Sequence, residues 1–186
     1  MAEARPPLVT ERLILRDFEP DDWRALYAAE SDPETVRHLP REPLTEPQSR
    51  DYIAYCLERA RLKPRRLFEL AVVLRDEGLV IGRCGLLASE AEDASFWYVL
   101  DAGRRGAGLM SEAVTALIDF GFGDLGLRRL WADIDPRNHA SVRVAERLGL
   151  RREAHFQENV LIKGEWCGTL IYAILNREWT AARSSG

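Results

Sequence analysis

The spacing of apolar positions changes period several times along this chain, and each change marks an element. Leu13-Ile14-Leu15-Arg16 reads as a first strand. Glu19-Pro20-Asp21-Asp22 then places acidic residues in the first turn of a short helix, on which Trp23, Leu26 and Tyr27 recur at helical spacing. Asp32-Pro33 predicts a further short turn of helix. Thr45-Glu46-Pro47-Gln48 fits a capping box, with proline tolerated in the first turn, and it opens a longer helix whose buried side carries Ile53, Cys56, Leu57 and Ala60. From Leu67 the period becomes two. Phe68, Leu70, Val72 and Leu74 alternate with Glu69, Ala71 and Val73, and strands follow over residues 79–87 and 96–100 after the turns Arg75-Asp76-Glu77-Gly78 and Ser89-Glu90-Ala91-Glu92-Asp93. The three strands read as an antiparallel meander.

The second half alternates. Val114 to Phe120 reads as a buried helix, Arg129 to Ile134 as a strand, and Asn138 to Leu148 as a helix ended by Gly149. Strands around residues 154–161 and 169–175 close the pattern. The order predicts a mixed α/β or α+β fold: a flexible N-terminal arm over residues 1–9, a single domain over 10–180 and a polar tail over 181–186. A net charge of -4 argues against a nucleic-acid partner. No apolar run reaches the roughly 18 residues of a membrane span, and no signal-peptide core is evident, so a soluble, cytoplasmic protein is expected. Cys56, Cys84 and Cys167 form neither a disulfide pattern nor C-x-x-C, and His38, His139 and His155 lack metal spacing, so no metal is expected.

Between the aromatic strand and the buried helix lies Arg104-Arg105-Gly106-Ala107-Gly108-Leu109-Met110-Ser111-Glu112. Paired glycines before a helix start let the backbone adopt positive φ and gather unpaired N–H groups at one point, which suits a phosphate. A P-loop is excluded because no Lys-Ser or Lys-Thr follows. The dinucleotide fingerprint is matched in two glycines and in an acid, Asp133 or Asp135, closing the next strand. Ser111 nevertheless stands where its third glycine or alanine belongs, and the unit follows an antiparallel meander.

Arg105-Gly106-Ala107-Gly108-Leu109-Met110 resembles the acetyl-CoA signature of the GCN5-related N-acetyltransferases, and Ser111-Glu112-Ala113 is similar to their RimJ/RimL branch. Thr10-Glu11-Arg12-Leu13-Ile14-Leu15-Arg16, Ile81-Gly82-Arg83-Cys84-Gly85, Asp135-Pro136-Arg137-Asn138-His139-Ala140-Ser141, Arg147-Leu148-Gly149-Leu150 and Gly164-Glu165-Trp166 match other segments in order. Met110 stands in place of a small residue and Leu150 in place of a phenylalanine. The size of Met110 raises the question of whether it crowds the pyrophosphate turn.

The resemblance implies a central mixed, mostly antiparallel sheet splayed around an acetyl-CoA cleft and flanked by helices. It implies that Arg105, Gly106, Ala107, Gly108, Leu109 and Met110 hold the pyrophosphate. Trp97, Tyr98, Val99 and Leu100 would pair with the pantetheine as an added strand would, with an N–H near Val99 or Leu100 facing the oxyanion. Asn138, a good helix N-cap in any case, would contact the pantetheine. Many relatives place a tyrosine at the position of Ala145. Without it, Ser141 is the residue to hydrogen-bond the departing thiolate. An α-amine of pKa ~8 costs ~1.4 kcal/mol to deprotonate at pH 7, a lysine amine ~4.6 kcal/mol, so the need for a close base depends on the acceptor. Glu69 is preferred as that base because a carboxylate on a strand needs a reason, with Glu90, Glu92 and Asp93 as alternatives.

The expected activity is acetyl transfer to a primary amine, of a protein N-terminus or a small molecule, by direct attack in a ternary complex. The partners are then acetyl-CoA and the amine, with the chain a monomer or homodimer. The alternatives are a catalytically inactive acyl-CoA-binding module and a nicotinamide oxidoreductase.

Overall fold

The structure, a computed structural model, describes residues 6–184. Its centre is an eight-stranded sheet in the order β1-β2-β3-β4-β5-β6-β8-β7. These strands are β1 (Leu8–Val9), β2 (Leu13–Asp17), β3 (Leu67–Leu74), β4 (Val80–Ala88), β5 (Asp93–Leu100), β6 (Arg129–Ile134), β7 (Arg151–Ile162) and β8 (Glu165–Leu175). Neighbours run antiparallel except β5 and β6, which are parallel because a helix carries the chain across between them. The helices are α1 (Trp23–Glu30), α2 (Glu46–Ala60), α3 (Leu109–Gly123), α4 (His139–Arg147) and α5 (Asn176–Ser184).

Strand β3 explains the two apolar layers. Phe68, Leu70 and Val72 enter the main core with α3, while Ala71 and Val73 pack on the other face with Ile53 and Cys56 of α2. Phe68 meets Phe120 of α3 edge to face at 5.1 Å. Burial on both faces is why β3 reads as a nearly continuous apolar run and why Glu69 within it is itself buried. The capping box forms as expected: Thr45 accepts from the Gln48 N–H, and Gln48 Oε1 accepts from the Thr45 N–H at 2.9 Å.

Some boundaries differ from the sequence reading. Leu8 and Val9, in the stretch expected to be an arm, pair with Leu15 and Ile14; residues 1–5 lie outside the described residues. Helix α5 continues to Ser184, into the stretch expected to be a tail, and is anchored by Trp179, whose Nε1–H donates to Asp119 at 2.8 Å. Asp32 begins hydrogen-bonded turns, its carbonyl accepting from Thr35 and Val36, but no helix propagates from them. The last two strands are longer than the apolar runs suggest. β7 forms the sheet edge and is exposed along most of its length, so burial imposes little pattern on it.

The feature that positions the site is a short pairing. β5 and β6 are in register only at Asp93–Arg129, Ala94–Leu130 and Ser95–Trp131. Beyond Ser95 they part. The other edge of β5 stays paired with β4 as far as Leu100, and that of β6 stays paired with β8 as far as Ile134. The sheet therefore opens in a V, and the β6-facing edge of residues 96–100 has no strand partner.

Candidate active site

Two cavities occupy the V. The first, of about 320 Å³, lies among Tyr98 to Leu100, the glycine turn, the start of α3 and one face of α4. The second, of about 610 Å³, is bounded by Arg41, Arg83, Trp97, Asp133 and Asp135 and by Gly168 and Thr169 of β8. They share His38, Leu39, Tyr98, Val99, Asn138 and Ser141, so these residues form the junction.

At the far end of the first cavity Gly106 has φ 88° and Gly108 φ 78°, a left-handed pair that L side chains resist. Gly108 is the N-cap of the 15-residue α3 and supplies no side-chain cap, so the first amides of the helix face the cavity end without one. The glycine turn is clasped by the segment between β1 and β2. Thr10 Oγ1 donates to Glu112 at 2.6 Å, the Arg12 N–H and Nε–H donate to the same carboxylate at 2.8 and 2.7 Å, and Arg12 Nη1 donates to the Ala107 carbonyl at 2.9 Å. Burial pushes the Glu112 carboxyl up, but the bonds from Thr10 and Arg12 together outweigh it and hold the group below its usual range. The opening Thr-Glu-Arg segment and Glu112 are thus parts of one brace. Met110 packs into the main core at 7% exposure beside Ala113 and Val114 while also forming part of the cavity wall.

The arginines do not divide as the sequence suggests. Arg105 lines the first cavity, but its guanidinium donates to the carbonyls of Glu34 and Thr35 at 3.3 Å each, and Arg104 reaches Glu77. Arg143 and Arg147, one turn apart on α4, also line that cavity, and neither has an ion-pair partner among the described residues. Their spacing on a helix face is visible in the sequence; which way that face points is not.

Asn138 caps α4, its side-chain oxygen accepting from the Ser141 N–H at 3.1 Å. The Ser141 carbonyl accepts from the Tyr98 hydroxyl at 3.1 Å, a bond that ties β5 to α4 across the V. Burial pushes that hydroxyl up to about 12. With its backbone committed in this way, Ser141 leaves its own hydroxyl free for the junction. Ala145 is buried in the core.

Glu69 does not line either cavity. One of its oxygens accepts from Arg83 at 2.8 Å and the other from Trp97 Nε1 at 2.7 Å, and Arg83 in turn reaches Glu30 at 2.7 Å and the Tyr52 hydroxyl at 2.8 Å. Gly85 makes the arrangement possible: a Cβ there would stand 2.7 Å from the Trp97 ring and 2.8 Å from the Glu69 carboxylate. Glu69 is therefore a buried counter-charge behind the cavity wall. Glu90, Glu92 and Asp93 lie at the closed end of the V; Glu90 pairs with Arg66 at 2.7 Å and Asp93 accepts from the Ser89 hydroxyl.

Two further residues reach the cavities without an acetyl-transfer signal in the sequence, Asp133 and His38. Asp133, exposed on β6, lines the second cavity, and its carboxylate has no hydrogen bond or ion pair among the described residues. No cluster of His, Cys, Asp and Glu fit to hold a metal ion occurs among those residues, and no helix is long and apolar enough to cross a membrane. Burial pushes the Cys84 thiol well up, as expected of an inert core cysteine.

Comparison with known proteins follows the same outline. Residues 12–151 match the acetyltransferase (GNAT) domain. The chain is 31% identical over 173 residues to the uncharacterized N-acetyltransferase YnaD of Bacillus subtilis (strain 168), covering 92% of this chain and 98% of that one. It is 30% identical over 190 residues to the [ribosomal protein uS5]-alanine N-acetyltransferase of Escherichia coli (strain K12), covering 95% and 94% respectively. A crystal structure of a GNAT-family acetyltransferase from Bacillus anthracis superposes with a TM-score of 0.82 at 28% identity, covering 92% of this chain and 99% of that one. The parted strands, the glycine turn and the domain match agree, and the chain belongs to the GNAT acetyltransferases, N-acetyltransferases that take acetyl-CoA as co-substrate.

Proposed function

We propose that the protein acetylates a primary amine, of a protein N-terminus or a small molecule, by direct attack on acetyl-CoA in a ternary complex, in the manner of the RimJ/RimL branch. The observation that carries this reading is the meeting of two cavities at Val99 and Ser141, one ending in the glycine turn and the other open to a second substrate. The amides of residues 106–111 suit the pyrophosphate, and Arg143 and Arg147 add positive charge on the same side. The unpaired edge at residues 97–100 offers strand-like bonds to the pantetheine and an N–H near Val99 for the oxyanion. Ser141 would donate its hydroxyl proton toward the leaving sulfur. A thiol of pKa near 8.5 needs only modest help of this kind.

Asp133, uncommitted on the wall of the second cavity, suits the ammonium form of an acceptor. The likeness to the uS5-alanine acetyltransferase favours a peptide N-terminus, which is also the cheaper amine to deprotonate at neutral pH. Thiol release from acetyl-CoA tests the reading, measured against alanine- and serine-terminated peptides, small primary amines and lysine side chains, with the product confirmed by mass. Release with at least one α-amine is expected. Binding of acetyl-CoA without release for any amine would favour the inactive binding module, and binding of NADH in its place would favour the oxidoreductase.

A further inference from the structure

Resting on the acetyl-transfer reading of this cleft, we propose that His38 is the catalytic base that takes the proton from the acceptor amine, with Asp135 as its positioning residue. In the sequence His38 stands in a polar, proline-punctuated segment without any metal or triad spacing. Its importance comes from how residues 31–45 are held. The Arg105 guanidinium binds the carbonyls of Glu34 and Thr35, and the Thr35 hydroxyl accepts from the Ala102 N–H at 3.1 Å. From the opposite side, Lys163 in the turn between β7 and β8 donates to the Val36 carbonyl at 2.9 Å. Val36 is fully buried. The segment is thereby fixed between the glycine turn and the hairpin tip, and His38 comes to rest where the two cavities meet.

Among the junction residues only His38 and Tyr98 titrate, and the Tyr98 hydroxyl is already donated to Ser141. His38 Nδ1 lies 3.9 Å from Asp135 Oδ2. That is long for a hydrogen bond, yet close enough for the carboxylate to favour the Nδ1–H tautomer and to stabilise an imidazolium as it forms. Asp135 is itself held by Arg137, whose Nε and Nη2 donate to it at 3.0 and 2.7 Å. Burial is the largest influence on the ring and draws His38 below its ordinary value; Arg37 and Arg137 act in the same sense, while Asp135 and Glu34 oppose them. Arg41 and Asp133 share the second cavity with it, and Arg143 the first. The ring is thus neutral near pH 7 and has Nε2 available as an acceptor. Asp133 borders only the second cavity, and both oxygens of Glu69 are occupied.

In the step itself the amine lone pair attacks the thioester carbonyl carbon and an N–C bond forms. Nε2 of His38 takes a proton from the nitrogen, which would otherwise carry a positive charge. The C–S bond breaks, its electron pair leaves with the sulfur, and the Ser141 hydroxyl hydrogen-bonds that sulfur. His38 then returns its proton to solvent through the second cavity.

The test combines kinetics and NMR. With an amine turned over by the unaltered protein, His38→Gln should lower kcat about 100-fold. It should also leave the KM for acetyl-CoA and the melting temperature within error, and abolish the acidic limb of the kcat profile. Asp135→Asn should keep measurable turnover and move that limb to lower pH, because the carboxylate no longer supports the imidazolium. An unchanged kcat with an unchanged limb in His38→Gln overturns the proposal. Independently of any acceptor, the His38 Cε1–H resonance should shift when coenzyme A binds and shift less with desulfo-coenzyme A. A resonance indifferent to bound coenzyme A places His38 away from the sulfur and overturns the proposal while leaving the acetyl-transfer reading intact. Failure of coenzyme A to bind at all removes both.

Discussion

At Ser141 the structural contacts and the proposed chemistry fall on different atoms. Its N–H is taken by Asn138 and its carbonyl by Tyr98, both through the main chain, so Ser141→Ala should leave the helix cap and the cross-cleft bond in place. Turnover is expected to fall at least several-fold with acetyl-CoA affinity unchanged. Wild-type kcat in that variant would remove the hydroxyl from the mechanism. Glu69 calls for a different experiment. Glu69→Gln leaves Arg83 short of one counter-charge in a buried site, and loss of about 3 kcal/mol of stability is expected by urea unfolding. If Glu69 were also the base, turnover of the folded variant would fall, most at low pH; a folded variant with an unchanged pH profile leaves Glu69 its structural role alone. Asn138 is legible in the sequence as a helix cap, and the roles proposed for it and for Ser141 come from the family resemblance. His38 is not legible there, because only the tertiary fixing of its loop brings it to them.

At the scale of elements, the brace between the β1–β2 turn and α3 depends on the charge of Glu112. Its carboxyl is held below the usual 4.5, so the stability it contributes is present above that pH and is lost as the pH falls further through the folded value. Glu112→Gln should cost about 2 kcal/mol at pH 7 and flatten the acid dependence of the melting temperature. An equally steep acid dependence in the variant would assign it to other carboxylates. The apolar run of β3, the capping box at Thr45 and the glycine turn are all written in local patterns, which is why those elements can be placed from sequence alone. The full length of β7 is not, since an exposed edge strand needs no apolar face, and the bracing of residues 31–45 consists of bonds to backbone carbonyls and an amide that carry no sequence signal.

Across the whole molecule, a net charge of -4 coexists with a cavity wall carrying Arg143 and Arg147. The overall charge therefore says little about the local field at the cleft, and in the proposed reading the polyanionic co-substrate meets these cations. Neutralising either arginine to glutamine should raise the KM for acetyl-CoA by roughly threefold at low salt, with kcat unchanged. The effect should shrink as ionic strength rises. An effect independent of salt would mean that the arginines act through packing. The antiparallel meander follows from the run of strands and turns, but the insertion of β8 between β6 and β7 and the parting of β5 from β6 after Ser95 depend on long-range registers that no local pattern encodes.

The contact between Trp97 and Glu69 has an optical consequence. The Trp97 indole lies in the wall of the second cavity with its Nε1–H fixed to a carboxylate at 2.7 Å, while Trp166 at the hairpin stands 64% exposed. A water-soluble quencher will therefore extinguish Trp166 emission first and leave Trp97 as the fluorophore nearest the acceptor. The difference in emission between Trp166→Phe and the double variant Trp97→Phe/Trp166→Phe isolates the Trp97 contribution from that of Trp23, Trp131 and Trp179 and provides a label-free readout of which amines enter the cleft, before any turnover is measured.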